Sequence, residues 1–515
     1  MPNTYWVNFS CSAPGVQVMV TGQGRIVELG TLSLMASRNV TDQVIDLEQA
    51  FVTPGFWDSH FHLLEYGRSF RQLVIDPNQS YSSVLESVHS RAARENVSGV
   101  WILGGGWNPH QWQHDPRAVD LSSVSMGHPV LLFSHDYHSA WINQEGLQLL
   151  GIGIQTPAVS GGVIERDVHG RPTGVIRENQ VGWAVSHMEP PSLEDNIHDL
   201  TQGMRHAARL GIVGVTAIEQ PESLFALQSI TEDTFPLKVE VMLPHHTLNA
   251  MEQMGIRGGF GTNRLRIKGV KLFWDGALGS RTAWMKQPYL GDGPNRGVPV
   301  MDAETASGIL GQATRLNLAV AMHAIGDEAV HQALLAVAPY VSDQVPHHRV
   351  EHAQLLSDDD LPRIQSQVAL SMQPVHMIDD YPIARRYWGD RWRQAFRFGS
   401  VVRQNALLLF GSDAPIASPD VRLGLWMAVH RAPPDQPQAC WPLEEKLTPR
   451  AAMEAYTRWP AVADGRRSGL IQPGYAADFT LWRYDPVEML TQQSWENLEV
   501  LGTVVNGHLV WRHNT

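Results

Sequence analysis

Between residues 51 and 413, short apolar runs alternate with amphipathic ones, and this alternation restricts the fold more than any other feature. Strand-like runs fall at Phe51–Phe56, Gly214–Ile218, Val239–Leu243, Ile267–Phe273, Leu318–His323, Arg349–His352, Val368–Met372 and Ala406–Phe410. From Asn196 onward helical patterns separate them, at Asn196–Leu210, Ser223–Ile230, Ala303–Leu316, Glu328–Val341 and Asp358–Gln365. Strands alternating with helices make parallel βαβ units. Eight such strands are the number that closes a (β/α)8 barrel, whose active sites sit at the C-terminal strand ends. An apolar run such as Leu407-Leu408-Leu409-Phe410 suits a strand covered on both faces.

The remaining chain divides in two. Residues 1–50 hold short strand-like runs (Val16–Thr21, Arg25–Glu28, Val44–Leu47), and the C-terminus answers with Ala476–Arg483 and Gly502–Trp511. In the last of these, Asn506-Gly507 between β-branched runs is a hairpin signal. The expected fold class is therefore α/β: a (β/α)8 TIM-like barrel with a small β-sandwich domain built from both chain ends and an insertion after strand one. The expected boundaries are 1–50 plus 466–515 for the sandwich, 51–67 plus 183–465 for the barrel, and 68–182 for the insertion. Leaving the barrel after its first strand, that insertion is expected over the barrel mouth.

Composition narrows the function classes. A net charge of −13 over 515 residues argues against nucleic acid or an anionic membrane as main partner. No apolar run approaches the roughly 18 residues of a spanning helix. The N-terminus, MPNTYWVNFS, lacks the basic start and apolar stretch of a signal peptide. Cys11 and Cys440 cannot make a disulfide framework, so a cytoplasmic protein is expected. The expected partners are a small-molecule substrate and, for assembly, a homodimer mate, although nothing in the sequence fixes the oligomer.

Chemistry collects at the predicted strand ends. His60 and His62 stand two apart in Phe51–Leu64, so both imidazoles can reach one cation from an extended chain. His323 ends strand five, His352 strand six, and Asp413 follows strand eight; Lys271 lies on strand four. A single histidine on an apolar strand is usually a hydrogen-bonded core residue, and Lys271 alone could pair with Asp275 or Glu240. Four histidines and an aspartate at successive ends of one barrel are much harder to assign to packing.

The stretches PGFWDSHFHL, GVKLFWDGALGSRTA, HAIGD, EHAQ and GSDAP resemble the amidohydrolase superfamily. GGGWNPHQW, SHDYHSAWIN, IERDVHGRPTGVIREN and LIQPGYAADFTLW extend the resemblance over nearly the whole chain from about Arg25. More narrowly, the chain resembles the branch (amidohydrolase family 3) that includes N-substituted formamide deformylase. The resemblance implies two divalent metal ions: His60, His62 and Asp413 on one, His323 and His352 on the other, and Lys271, carboxylated on its amine, between them. An unmodified lysine, with a pKa near 10.4, would repel the cations, whereas a carboxylated one is an anionic two-oxygen ligand. Zn²⁺ suits N and O ligands and lowers the pKa of bound water to about 7. A metal-bound hydroxide would then attack a carbonyl, with Asp413 as the catalytic group carrying its proton to the leaving nitrogen.

Departures from the branch concern the substrate. Glu219-Gln220 stand where relatives commonly carry His and Asp, and Glu219 should face the pocket; Asn108 replaces an acidic residue after Trp107. Trp107, His138 and Glu219 are the expected substrate contacts, each with a structural role as alternative. His245-His246 and His347-His348 have no motif and read as surface or loop residues. The expected function is metal-dependent hydrolysis of a C–N bond in an N-substituted formamide or similar amide of an apolar amine. A cyclic amide, carbamate or ester hydrolase with the same metals, or a non-catalytic metal-binding or regulatory protein on this scaffold, are the alternatives.

Overall fold

The structure, a computed structural model, describes residues 2–513 apart from 96–98, 109–111, 113, 135–138, 232–234, 342–346 and 365–367. It forms two compact units, residues 1–67 with 196–515 and residues 68–195.

The first unit holds an eight-stranded parallel sheet: β1 Phe56–Phe61, β2 Ile212–Ile218, β3 Lys238–Pro244, β4 Leu265–Phe273, β5 Ala319–Ala324, β6 His348–His352, β7 Val368–Met372 and β8 Leu407–Phe410. The strands neighbour one another in chain order, and β8 returns to β1. At that seam Phe61 bridges Ala414, and Asp413 N donates to His60 O (2.7 Å) and His62 N to Ala414 O (2.9 Å). Asp58 Oδ1 joins both sides, accepting from His60 N (3.1 Å) and Ser412 N (3.0 Å). Alternation along each strand builds two cores. On β3, Val239, Val241 and Leu243 join the cluster under the helices, while Met242 packs with Ile218, Ala319 and Ala321 on the other face.

Helices lie where amphipathic runs coincide with caps. Asp302 Oδ1 accepts from Thr305 N (2.8 Å) to start Ala303–Arg315, a cap worth about 1 kcal/mol. In Leu193–Arg209 the buried stripe Leu200, Met204, Ala207 and Ala208 belongs to the same core as Phe56 and Ile212. Over the expected helix Asp358–Gln365 the described residues instead make a 3₁₀ turn, Leu361–Arg363, where Pro362 supplies no N–H.

The first barrel strand also differs from expectation. Phe51–Pro54 is not its beginning: this segment pairs antiparallel with Phe479–Trp482 in a separate five-stranded sheet, and β1 starts at Phe56. Pro54 has no N–H for a continued ladder, and a Cβ at Gly55 would collide with the Val213 side chain, so the chain changes sheet there. The five-stranded sheet continues through Val500–Val505 and His508–Arg512. These two strands turn at Asn506-Gly507, both with positive φ (53° and 75°), as a two-residue hairpin turn requires. A four-stranded sheet holds Arg25–Gly30, Val18–Gly22, Thr4–Val7 and Gln43–Asp46. Trp6, Met19 and Ile26 of this sheet share one apolar cluster with Val52, Phe479 and Val504 of the five-stranded one.

The second unit is a six-stranded mixed sheet, in the order Gly162–Arg166, Pro172–Glu178, Ser139–Ile142, Val130–Ser134, Ile102–Trp107 and Leu73–Val74. Both faces are covered. Leu131, Ile142 and Ile176 pack with Val181 and Ala184 of helix Asn179–Ser186, which is why this unit extends past residue 182. Leu132 and Val130 pack with Trp107, Trp141 and helix Tyr81–Ala92. Among the described residues no helix is long and apolar enough to cross a membrane.

Candidate metal centre

The barrel brings the predicted ligands together at the C-terminal ends of its strands. His60 lies on β1, His62 just beyond it, and Asp413 three residues past β8. Asp413 Oδ1 is 3.4 Å from His60 Nε2 and 3.0 Å from His62 Nε2. His352 closes β6, its ring centroid 4.8 Å from that of His60 and 4.5 Å from that of His323 on β5. His60, His352 and Asp413, all buried, each offer a ligand atom within 4.8 Å of the others. Lys271 on β4 is buried too, its Nζ 5.1 Å from the centre of the Phe273 ring.

Three imidazoles are oriented from behind. Glu351 Oε2 lies 2.6 Å from His60 Nδ1; a carboxylate only accepts, so the proton sits on Nδ1 and the Nε2 lone pair faces Asp413. Gln373 Oε1 accepts in the same way from His352 Nδ1 (2.9 Å), leaving its Nε2 lone pair available. The Gly276 carbonyl accepts from His323 Nε2 (3.0 Å), which leaves the Nδ1 lone pair. Glu351 is itself held by Arg349, whose Nε donates to Oε1 (2.6 Å) and whose Nη2 donates to Ser59 O and Ser371 Oγ. Hydrogen-bonded backing of this kind is what metal-ligating histidines use to fix tautomer and ring angle.

Electrostatics agree with the geometry. Burial, then nearby positive groups, lowers His60 to about 4 and His323 to about 3, and holds His352 far below an ordinary imidazole. They are neutral, as metal ligands must be. Burial pushes Asp413 upward, but His60 and the His62 hydrogen bond outweigh it and keep its carboxyl well below the usual range. Burial lowers Lys271 to about 8. Buried lone pairs and a carboxylate converging on one space would be costly unless a cation satisfies them. The donor set therefore fits a divalent metal of the N/O-binding kind.

Two candidate ligand positions have left-handed backbone, His352 (φ 71°) and Asp413 (φ 62°), a conformation costing of order 1–3 kcal/mol at a non-glycine residue. At His352 it has a clear consequence. Neighbours on a strand normally point to opposite faces, yet both Glu351 and His352 reach into the site because the strand turns there.

Other expected residues fall elsewhere. Glu219 is buried, and its Oε1 accepts from Leu63 N (2.6 Å) and Leu64 N (3.2 Å), capping the helix Leu63–Ser69 that follows His62. Trp107 is 1% exposed; its Nε1 donates to Leu132 O (2.7 Å) and its ring stacks on Trp112 at 5.6 Å. Within its unit it is a core residue. His138 lies outside the described residues. Neither suggested partner takes Lys271: Asp275 accepts from Trp284, Ile325 and Gly326 N–H groups, and Glu240 meets Lys268 and Arg466. His245 and His246 occupy a short turn after β3. His348, read as a surface or loop residue, is buried on β6, and its Nδ1 accepts from Val320 N (3.1 Å). Sequence reasoning passed over Arg349, Glu351, Gln373 and His376. The last follows β7, with Nε2 3.7 Å from Asp413 Oδ2. Only Glu351 carried a signal, as the residue before the ligand in EHAQ.

A model of the amidohydrolase family matches residues 43–511. The putative amidohydrolase YtcJ of Bacillus subtilis (strain 168) is 30% identical over 488 residues, covering 91% of this chain and 90% of its own. N-substituted formamide deformylase of Arthrobacter pascens is 25% identical, covering 96% and 94%. The crystal structure of an uncharacterized metal-dependent hydrolase from Pyrococcus furiosus superposes with a TM-score of 0.81 at 28% identity, covering 94% of this chain and all of that one. The chain belongs to the amidohydrolase family.

Proposed function

We propose that this protein hydrolyses a C–N bond in a small amide, an N-substituted formamide or a similar amide of an apolar amine. The observation that carries the reading is the convergence of His60, His352 and Asp413 within 4.8 Å, with the outer nitrogens of His60 and His352 held by Glu351 and Gln373. His60, His62 and Asp413 would hold one divalent ion and His323 and His352 a second, with Zn²⁺ suited to these donors. Lys271 would serve both after its amine, which burial lowers to about 8 and so leaves partly deprotonated, adds to carbon dioxide and releases a proton. When bound, such ions supply Lewis acidity and an activated water.

The chain's own residues do the rest. Asp413 takes a proton from the attacking water at a carboxylate oxygen and returns it to the departing nitrogen, as C–O forms and C–N breaks. Proton transfer of this kind contributes about 10²–10⁴ in rate. His376 Nε2 lies 3.7 Å from the other Asp413 oxygen, near it without a hydrogen bond. Glu219 holds the backbone after His62 rather than touching substrate. Phe273, 44% exposed beside Lys271 and His323, and Ile416, 70% exposed and bonded through its N–H to Asp413 O, offer apolar surface for the amine substituent.

A screen of N-substituted formamides against matched cyclic amides, carbamates and esters, each with and without a chelator, tests the reading. Chelator-sensitive amide cleavage is expected. Turnover that ignores the chelator, or that is confined to esters, would contradict it.

A further inference from the structure

We infer that the N-terminal end of the barrel carries a second site, one that binds a small anion with two or more oxyanion groups. A cavity of about 370 Å³ opens there, lined by the beginnings of β1, β3 and β4 and by residues 464–468. That volume lies within the roughly 300–1,000 Å³ of small-molecule pockets. Its floor is Arg466, whose guanidinium stacks over the Trp57 ring at 3.5 Å. Trp57 has room because its neighbour on β2 is Gly214, where any Cβ would meet the indole.

Charge makes the cavity unusual in a protein of net −13. Its two acidic lining residues, Glu240 and Asp464, are already matched. Lys268 pairs with both, and Arg466 pairs with Asp464 at 2.7 Å and with Glu240 at 3.5 Å. Lys238 is likewise matched, by Asp478 at 2.5 Å. Arg25, Arg266 and Arg467 line the same cavity without a carboxylate partner among the described residues. Among the described residues the Arg25 side chain donates to Gly474 O (2.9 Å); Arg266 donates to Thr262 O (2.8 Å) and Asn263 Oδ1 (3.2 Å). Arg467 is exposed.

Three guanidinium groups around a concave space, with Ser468 and Asn506 beside them, suit phosphate or carboxylate oxygens taken up in pairs. A ligand with several oxyanion groups can meet more of these guanidinium donors at once than a single carboxylate can. Because the lining comes from strand beginnings, this site lies at the opposite strand ends from the histidine cluster.

Calorimetric titration of the metal-loaded protein with pyrophosphate and with citrate, at low and at high ionic strength, tests the assignment. Saturable binding of one or both is expected, weakening with salt; the better probe tells phosphate from carboxylate. An Arg25→Ala/Arg467→Ala double variant with an unchanged Tm should lose about tenfold or more in affinity, the scale of lost charge-assisted hydrogen bonds. Arg266→Gln should weaken binding independently. No saturable binding, or equal affinity in the double variant, overturns the proposal. So does binding that persists in that variant but disappears in Asp413→Asn, since the probe then sits at the metal centre.

Discussion

At the N-terminal end of the barrel, Lys268 meets Glu240 and Asp464, and Arg466 meets the same two carboxylates. At the C-terminal end, His60, His352 and Asp413 converge, and the nearby amine, Lys271, is lowered to about 8. Both groups are buried in one barrel and face the same desolvation cost. They differ in how that cost is met. At one end every buried carboxylate has its cation in the chain itself, so the arrangement is complete as folded. At the other, lone pairs are aimed at a common space, backed by Glu351 and Gln373, and only a ligand from outside completes them.

That contrast can be broken at either end. Asp413→Asn should cause the largest effect, a fall of about 10²–10⁴ in kcat with the fold retained in circular dichroism; activity within a few-fold of the parent would mean that another group carries the proton. Asp464→Asn should act on stability instead. It leaves Lys268 and Arg466 short of a buried partner, a change of about 3–5 kcal/mol, read as a drop in denaturant midpoint with little change in metal content. Equal metal loss in Asp464→Asn would blur the two ends into one network.

Glu351→Gln probes the backing behind the ligands. It weakens the fixed Nδ1–H contact of His60, and metal affinity should fall about 10–100-fold in competition with a chromophoric chelator. Unchanged affinity would reduce Glu351 to a partner of Arg349. Phe273→Ala should be smallest: removing the exposed ring should lower kcat/KM about fivefold for bulky apolar N-substituents, about 1 kcal/mol, the low end for an apolar contact. A uniform drop over all substrates would place Phe273 in packing around Lys271.

The alternation of strands and helices made the barrel legible, because each strand's apolar run is a local property of the sequence. His60, His62, His323, His352 and Asp413 were legible for the same reason: each sits where a run ends. What stayed hidden depends on long-range partners. Glu351 sits one place from a ligand, on what alternation assigns to the other face, and only the left-handed turn at His352 brings both inward. Glu219 looks like a pocket residue until Leu63 and Leu64, more than 150 positions away, are found as its donors. The start of β1 was misplaced because Phe51–Pro54 and Phe56–Phe61 are both apolar, and only Phe479–Trp482 decides which sheet takes the first. His348 resembled a loop residue beside His347, but β6 begins with it.

The proposed hydrolysis requires that the converging histidines and Asp413 hold a metal. Elemental analysis of the purified, active protein, before and after chelation, tests this most directly. The expected result is one to two equivalents of a divalent metal such as zinc per chain, activity lost with the metal and regained on adding it back. Active protein containing no stoichiometric metal would contradict the account.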